Sequence, residues 1–105
     1  MTQERTRLQP KARKATILIA AIRLARRPGG LSSLTRASIA KEASCTEGLV
    51  SHYLGDMTTV RAIIMKDAIK HEYLDLIAQG IALNDKHTRN ISPVLKHRAL
   101  NHLMR

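Results

Sequence analysis

Between Arg27 and Asp56 the chain is punctuated four times: by Arg27-Pro-Gly-Gly30, by Thr35, by Ser44-Cys45-Thr46 and by Gly55-Asp56. Pro28 removes a backbone donor, and the paired glycines permit left-handed geometry, so a helix arriving at Arg27 stops there. Thr35 and Thr46 are hydroxyl residues able to accept from the free amides of a following turn. Glu47 adds a negative charge where a helix N-terminus favours one. Gly55 suits a helix end, and Asp56 or Thr58 can cap the next start. Only short helices fit between signals this close together.

The apolar pattern agrees. Ile17, Leu18, Ala21, Leu24 and Ala25 recur at three- and four-residue spacing, which predicts a first helix over about 11–27 with Arg13, Lys14, Arg23 and Arg27 largely on its other side. Ile39, Ala40 and Ala43 share one face of a second helix over 36–43, and Leu49, Val50, Tyr53 and Leu54 supply a third. Val60, Ile63, Ile64, Ala68, Ile69, Leu74, Ile77 and Ile81 then predict one long fourth helix over 57–83, apolar on more than one side in its second half. Residues 82–90 read as a polar connection. Ser92-Pro93 is a cap followed by proline in the first turn of a last helix carrying Val94, Leu95, Ala99, Leu100, Leu103 and Met104. No segment reads as a strand and no internal repeat is visible. The chain is expected to be all-α: an arm over 1–10, a three-helix unit over 11–56, and a long helix plus a C-terminal helix over 57–105.

Charge narrows the function. Lys and Arg number 18 against 8 Asp and Glu, and residues 1–54 hold ten of the basic side chains against three acids. A small chain with positive charge concentrated at one end suggests a polyanionic partner. No apolar run approaches the ~18 residues a membrane helix needs. The basic N-terminus lacks the apolar centre of a signal peptide, and one cysteine makes no internal disulfide, so a cytoplasmic protein is expected.

Cys45 and His52 invite an enzymatic reading, as nucleophile and base. Such a pair also needs a third partner and an oxyanion site, and neither is evident. Cys45 is better read as a small apolar residue in a turn. The histidines at 52, 71, 87, 97 and 102 lack metal-ligand spacing. No catalysis, metal or cofactor is expected.

Three helices with a tight turn between the second and third have the logic of a helix-turn-helix, in which the second helix braces the third against a DNA major groove. Positions 46, 47, 49, 51, 52 and 53 are expected to be exposed, and they offer hydroxyl, carboxylate, imidazole, phenol and aliphatic groups suited to phosphates, base edges or thymine methyls.

"ILIAAIRLA" at 17–25, "GLSSLTRASIAKEA" at 30–43 and "SCTEGLVSHYLGD" at 44–56 together resemble the DNA-binding domain of the tetracycline-repressor (TetR) family. "GLVSHYLGD" is nearest the choline-responsive, betaine-regulator branch. The resemblance spans about residues 11–65 and is spread over three helices. It implies that Thr35 caps the second helix and touches a phosphate, with Arg36 beside it. It puts Thr46, Glu47, Leu49, Ser51 and His52 on the recognition helix, and His52 and Tyr53 where the family meets phosphate or base. Gly48 would let DNA approach the backbone, and Thr58 and Thr59 would start the fourth helix beside it. Lys11, Arg13 and the arm before them would neutralise phosphates.

The chain departs from that pattern in four ways. Ser44 stands where the family has glycine, Leu54 where it has Phe, and Met57 where it has Lys. Positive φ at Ser44 would cost on the order of 1 kcal/mol relative to glycine. The chain is also about half a typical member's length, so no enclosed inducer pocket or small-molecule ligand is expected. A homodimer would then rest on the second half of the long helix and the last helix, through Tyr73, Leu74, Ile77, Ile81, Leu95, Leu100 and Leu103. Polar substitution of Leu74, Ile77 and Ile81 should give a monomer.

The resulting expectation is a DNA-binding transcriptional regulator, a repressor occupying a two-fold-symmetric operator. It would be bacterial, or encoded by a phage or plasmid. The rival readings are a protein that heterodimerises with a full-length relative and modulates it, and a non-specific architectural DNA binder.

Overall fold

A computed structural model describes residues 10–103; the arm up to residue 9 and Met104 lie outside the described residues. Among those described there are helices and turns and no strand. The elements are α1 (Pro10–Ala25), α2 (Gly30–Ser33), α3 (Arg36–Ala43), α4 (Glu47–Leu54), α5 (Met57–His71), α6 (Leu74–Ala82), a 3-10 turn (Lys86–Thr88) and α7 (Pro93–Leu103). The all-α class is as the sequence implies.

α1 begins on Pro10, whose missing N–H would be unsatisfied in a first turn anyway. It buries Ile17, Ala20, Ala21 and Ala25 and packs against α3 and α4. Three alanines on that face keep the neighbouring backbones close. Leu31, Leu34, Ile39, Val50, Leu54, Val60 and Ile64 extend the same core across α2 to α5. Met65, Ala68, Leu76, Ile77 and Ala99 carry it on into the C-terminal half. One cluster therefore runs through both halves, and the three-helix unit shares its interior with α5, α6 and α7.

The long fourth helix is a correction. It is two helices, broken at Glu72, which sits in the left-handed region at φ 57° and ψ 47°. The Tyr73 amide donates to the Ala68 carbonyl at 2.9 Å and the Glu72 amide to Ile69, the pattern that closes a helix C-terminus. Neither glycine nor proline marks the place. Leu31 to Ser33, expected as a lead-in, belongs to the one-turn helix α2.

The break changes the role of the residues assigned to dimer contact. α6 folds back and packs on α5 and α7, so Ile77 is fully buried and Leu95 is buried within the chain itself. Tyr73, Leu74 and Ile81 are half-buried against the same core. Polar substitution of Leu74, Ile77 and Ile81 would attack the monomer's interior, so it does not isolate an interface. Leu100 and Leu103 point outward, as do Leu83 and Val94.

The two halves are tied by polar contacts as well. The Gln79 side chain on α6 donates to the Ala25 carbonyl at 2.7 Å and the Arg27 carbonyl at 3.1 Å, and accepts from the Leu31 amide at 2.8 Å. It thus serves the free carbonyls ending α1 and a free amide in the first turn of α2. Arg61 on α5 donates to the carbonyls of Leu31 and Leu34. Arg26 pairs with Asp75 at 2.8 Å and lies over the Tyr73 ring at 4.4 Å.

Candidate nucleic-acid interface

α3 and α4 are joined by a turn whose geometry follows from three residues. Thr35 is the N-cap of α3: its hydroxyl accepts from the Ser38 amide at 3.0 Å, and the Ser38 hydroxyl accepts from the Thr35 amide at 3.1 Å. This reciprocal pair satisfies two otherwise free donors. Ser44 ends α3 at φ 56° and ψ 47°. The Cys45 amide donates to Ala40 at 2.9 Å and the Ser44 amide to Lys41 at 3.2 Å. Thr46 then caps α4, accepting from the Leu49 amide at 3.2 Å. Two short helices are thereby fixed at a tight corner.

α4 is held by Val50 and Leu54, both buried against the core that contains Ile39 and Ile17. Its opposite side carries Glu47, Gly48 and His52, all exposed, with Ser51 half-exposed among them. Positions 51 and 52 follow 47 and 48 by three to five residues, one helical turn on, and so share one outward face with them. Leu49 and Tyr53, expected to be exposed, are instead half-buried and pack on the core, so they flank this face and their side chains are only partly available to a partner. The His52 and Tyr53 rings meet edge to face, with centroids 4.7 Å apart. Thr46 is exposed at the helix start.

Gly48 has no packing reason to be glycine. A β-carbon built there would meet nothing nearer than the Thr46 hydroxyl at 3.8 Å. Its φ is not positive either, whereas Gly55, which ends α4 at φ 88° and ψ −158°, occupies a conformation open essentially to glycine alone. Among the described residues, then, nothing requires the bare backbone at the outward face of α4.

α5 starts directly after this turn. Asp56 caps it, accepting from the Thr59 amide at 2.8 Å. That backbone hydrogen bond is the largest cause holding the Asp56 carboxyl below its ordinary value of 3.8, with the Thr59 hydroxyl and the positive charge of Arg36 assisting. The Arg36 attraction also relates the start of α3 to the start of α5. Thr58 and Thr59 are exposed in that first turn, as is Thr35 at the start of α3. Arg36 is half-buried, and its Nε is a buried nitrogen with no hydrogen-bond partner among the described residues. Lys11 is exposed and Arg13 half-exposed on the first turn of α1.

Cys45 and His52 have separate surroundings. The Cys45 thiol is half-buried and lies 3.5 Å from the Thr46 carbonyl oxygen, while the His52 ring rests on Tyr53. Among the described residues no three His, Cys, Asp or Glu side chains gather as a metal site would require. Two clefts, of about 510 and 520 Å³, lie along α1 with Tyr73 and between α2, α6 and α7; α4 borders neither. No described helix is long and apolar enough to cross a membrane.

Sequence reading did not find Gln79 or Arg61, the two side chains that brace the α1–α2 corner from the C-terminal half. A polar residue inside the apolar stretch Leu74–Ala82 was the available signal for Gln79. No family model matches the chain, and no curated protein or solved structure matches it either.

Proposed function

We propose that the chain is a sequence-specific DNA-binding protein that regulates transcription. α4 would enter the major groove, and α3 would cross the backbone as its brace. The observation that carries this reading is the outward face of α4. It presents Glu47, Gly48, Ser51 and His52 on a helix locked by Val50 and Leu54, and the bare backbone at Gly48 faces open space among the described residues, which leaves room for close approach by a partner. Hydroxyl and imidazole groups suit phosphate or base edges. The net charge of +10 supplies the long-range attraction. The N-termini of α3 and α5, with exposed Thr35 and Thr58, flank the face with free amides and hydroxyls that suit phosphate oxygens.

The acids at 47 and 56 argue against a coating protein. A non-specific binder gains by lining its contact face with Lys and Arg, whereas the outward face of α4 has neither. Repression by occupying a promoter as a homodimer is the regulatory mode that the family resemblance suggests. Selection of bound duplexes from a random pool tests the proposal. An enriched motif, two-fold symmetric in the dimer case, is expected; a pool that stays random after repeated rounds removes sequence-specific regulation.

A further inference from the structure

The hinge at Glu72 is unusual in what surrounds it. Lys70-His-Glu-Tyr-Leu74 contains no glycine or proline, and the apolar spacing runs through it as though the helix continued. The backbone turns only because Glu72, a side-chain-bearing residue, takes φ 57°. The contacts that dock α6 on the N-terminal helices are made across that hinge. Gln79 reaches Ala25, Arg27 and Leu31; Asp75 reaches Arg26; and Gly80 approaches the Met65 side chain so closely that a β-carbon there would lie 2.5 Å from its terminal methyl. α7 travels with α6, since Leu95 and Ala99 pack with it in the core. The unit from Tyr73 to Leu103 is therefore a hairpin docked by one joint onto the rest of the molecule.

We propose that this joint also opens, and that the protein dimerises by exchanging the α6–α7 hairpin between two copies. With Glu72 returned to helical φ, α5 and α6 form one straight helix of about 39 Å. The hairpin then leaves its own α1–α2 corner and occupies that of a second copy. Arg26 of each chain meets Asp75 and Tyr73 of the other, and Gln79 of each seals the other's Leu31 amide. The contacts of Tyr73, Asp75 and Gln79 with the α1–α2 corner are kept across the pair, the 2.8 Å ion pair of Arg98 with Glu72 at the bend is given up, and two left-handed glutamates are relieved. The straight form would leave the faces of Ile77 and Ala78 bare in a lone chain, so it requires the second copy. The inference stands independently of DNA binding, because its test reads mass.

The first experiment compares Glu72→Gly with Glu72→Ala by native mass spectrometry and sedimentation across a wide concentration range. Glycine removes the cost of the bend and should hold the monomer. Alanine favours the straight helix, and its half-dimerisation concentration should fall roughly tenfold or more below that of the glycine variant. The second experiment uses the Glu72→Ala background with Arg26→Asp in one chain and Asp75→Arg in the other, refolded together. Only an exchanged heterodimer restores both ion pairs, so heterodimer should exceed the statistical half of all dimers. A Glu72→Ala protein that stays monomeric at high concentration overturns the proposal. So does a dimer population mixed at the statistical ratio.

Discussion

The amide of Cys45 donates to the carbonyl of Ala40 at 2.9 Å, across Ser44 held at φ 56°. That bond sets the corner between the bracing helix and the outward helix. The Ser44 side chain is exposed and carries the steric cost of a left-handed residue. Ser44→Gly should therefore stabilise the fold by roughly 0.5–1 kcal/mol, the relief being partly offset by glycine's freedom in the unfolded chain. In thermal unfolding that is a rise of about 2–8 °C for a domain of this size.

Gly48→Ala separates stability from function. Open space surrounds the position, so the methyl fits, and a helix gains up to about 1 kcal/mol from alanine over glycine. Urea unfolding should show equal or greater stability. Affinity for a selected duplex should fall about tenfold or more, since the methyl stands where the DNA backbone or base edge would come. Unchanged affinity would remove close approach at Gly48.

Gln79→Met keeps the volume and removes three hydrogen bonds. The Leu31 amide and the Ala25 carbonyl, part-buried, lose their partners. A loss of roughly 2–4 kcal/mol is expected in urea unfolding, because stranding such groups costs about 1–3 kcal/mol each. The same substitution should increase amide exchange at Leu31 first.

Asp56 gives the pH dependence a sign. Its folded pKa lies below 3.8, chiefly through the Thr59 amide, so its contribution to stability is present above 3.8 and is lost as pH falls through the lower folded value. Asp56→Asn keeps an N-cap but no titration, so its stability profile should be flatter in that acid window. A carboxyl titration followed by NMR should place Asp56 below 3.8; a midpoint above it contradicts the assignment.

Local chemistry made much of this fold legible. Thr35, Thr46 and Ser92 are caps in the structure as their side chains imply, with Ser92 accepting from Leu95 at 3.1 Å. The bounds of α3 and α4 follow from those caps and from the short spacing between punctuation marks. What stayed hidden was decided by long-range packing. No residue type announces the bend at Glu72; it forms because the apolar sides of α6 find cover on α5 and α7, a gain that exceeds the cost of one left-handed residue. The same fold-back converts Ile77 and Leu95 from candidate interface into core. At the site, Gly48 rested on the family resemblance, while exposed Glu47 and His52 could be read from periodicity. The half-burial of Leu49 and Tyr53 could not, since it depends on where α4 meets the rest of the core.

The central claim is that the outward face of α4 reads DNA, and Ser51→Ala/His52→Ala tests it most directly. The double variant and the unaltered protein are titrated against a selected duplex and a scrambled one at several salt concentrations, with helicity checked by circular dichroism. An unchanged fold is expected, with similar weak salt-dependent binding to the scrambled duplex and a loss of about tenfold or more on the selected one. Full retention of affinity for the selected duplex would contradict it.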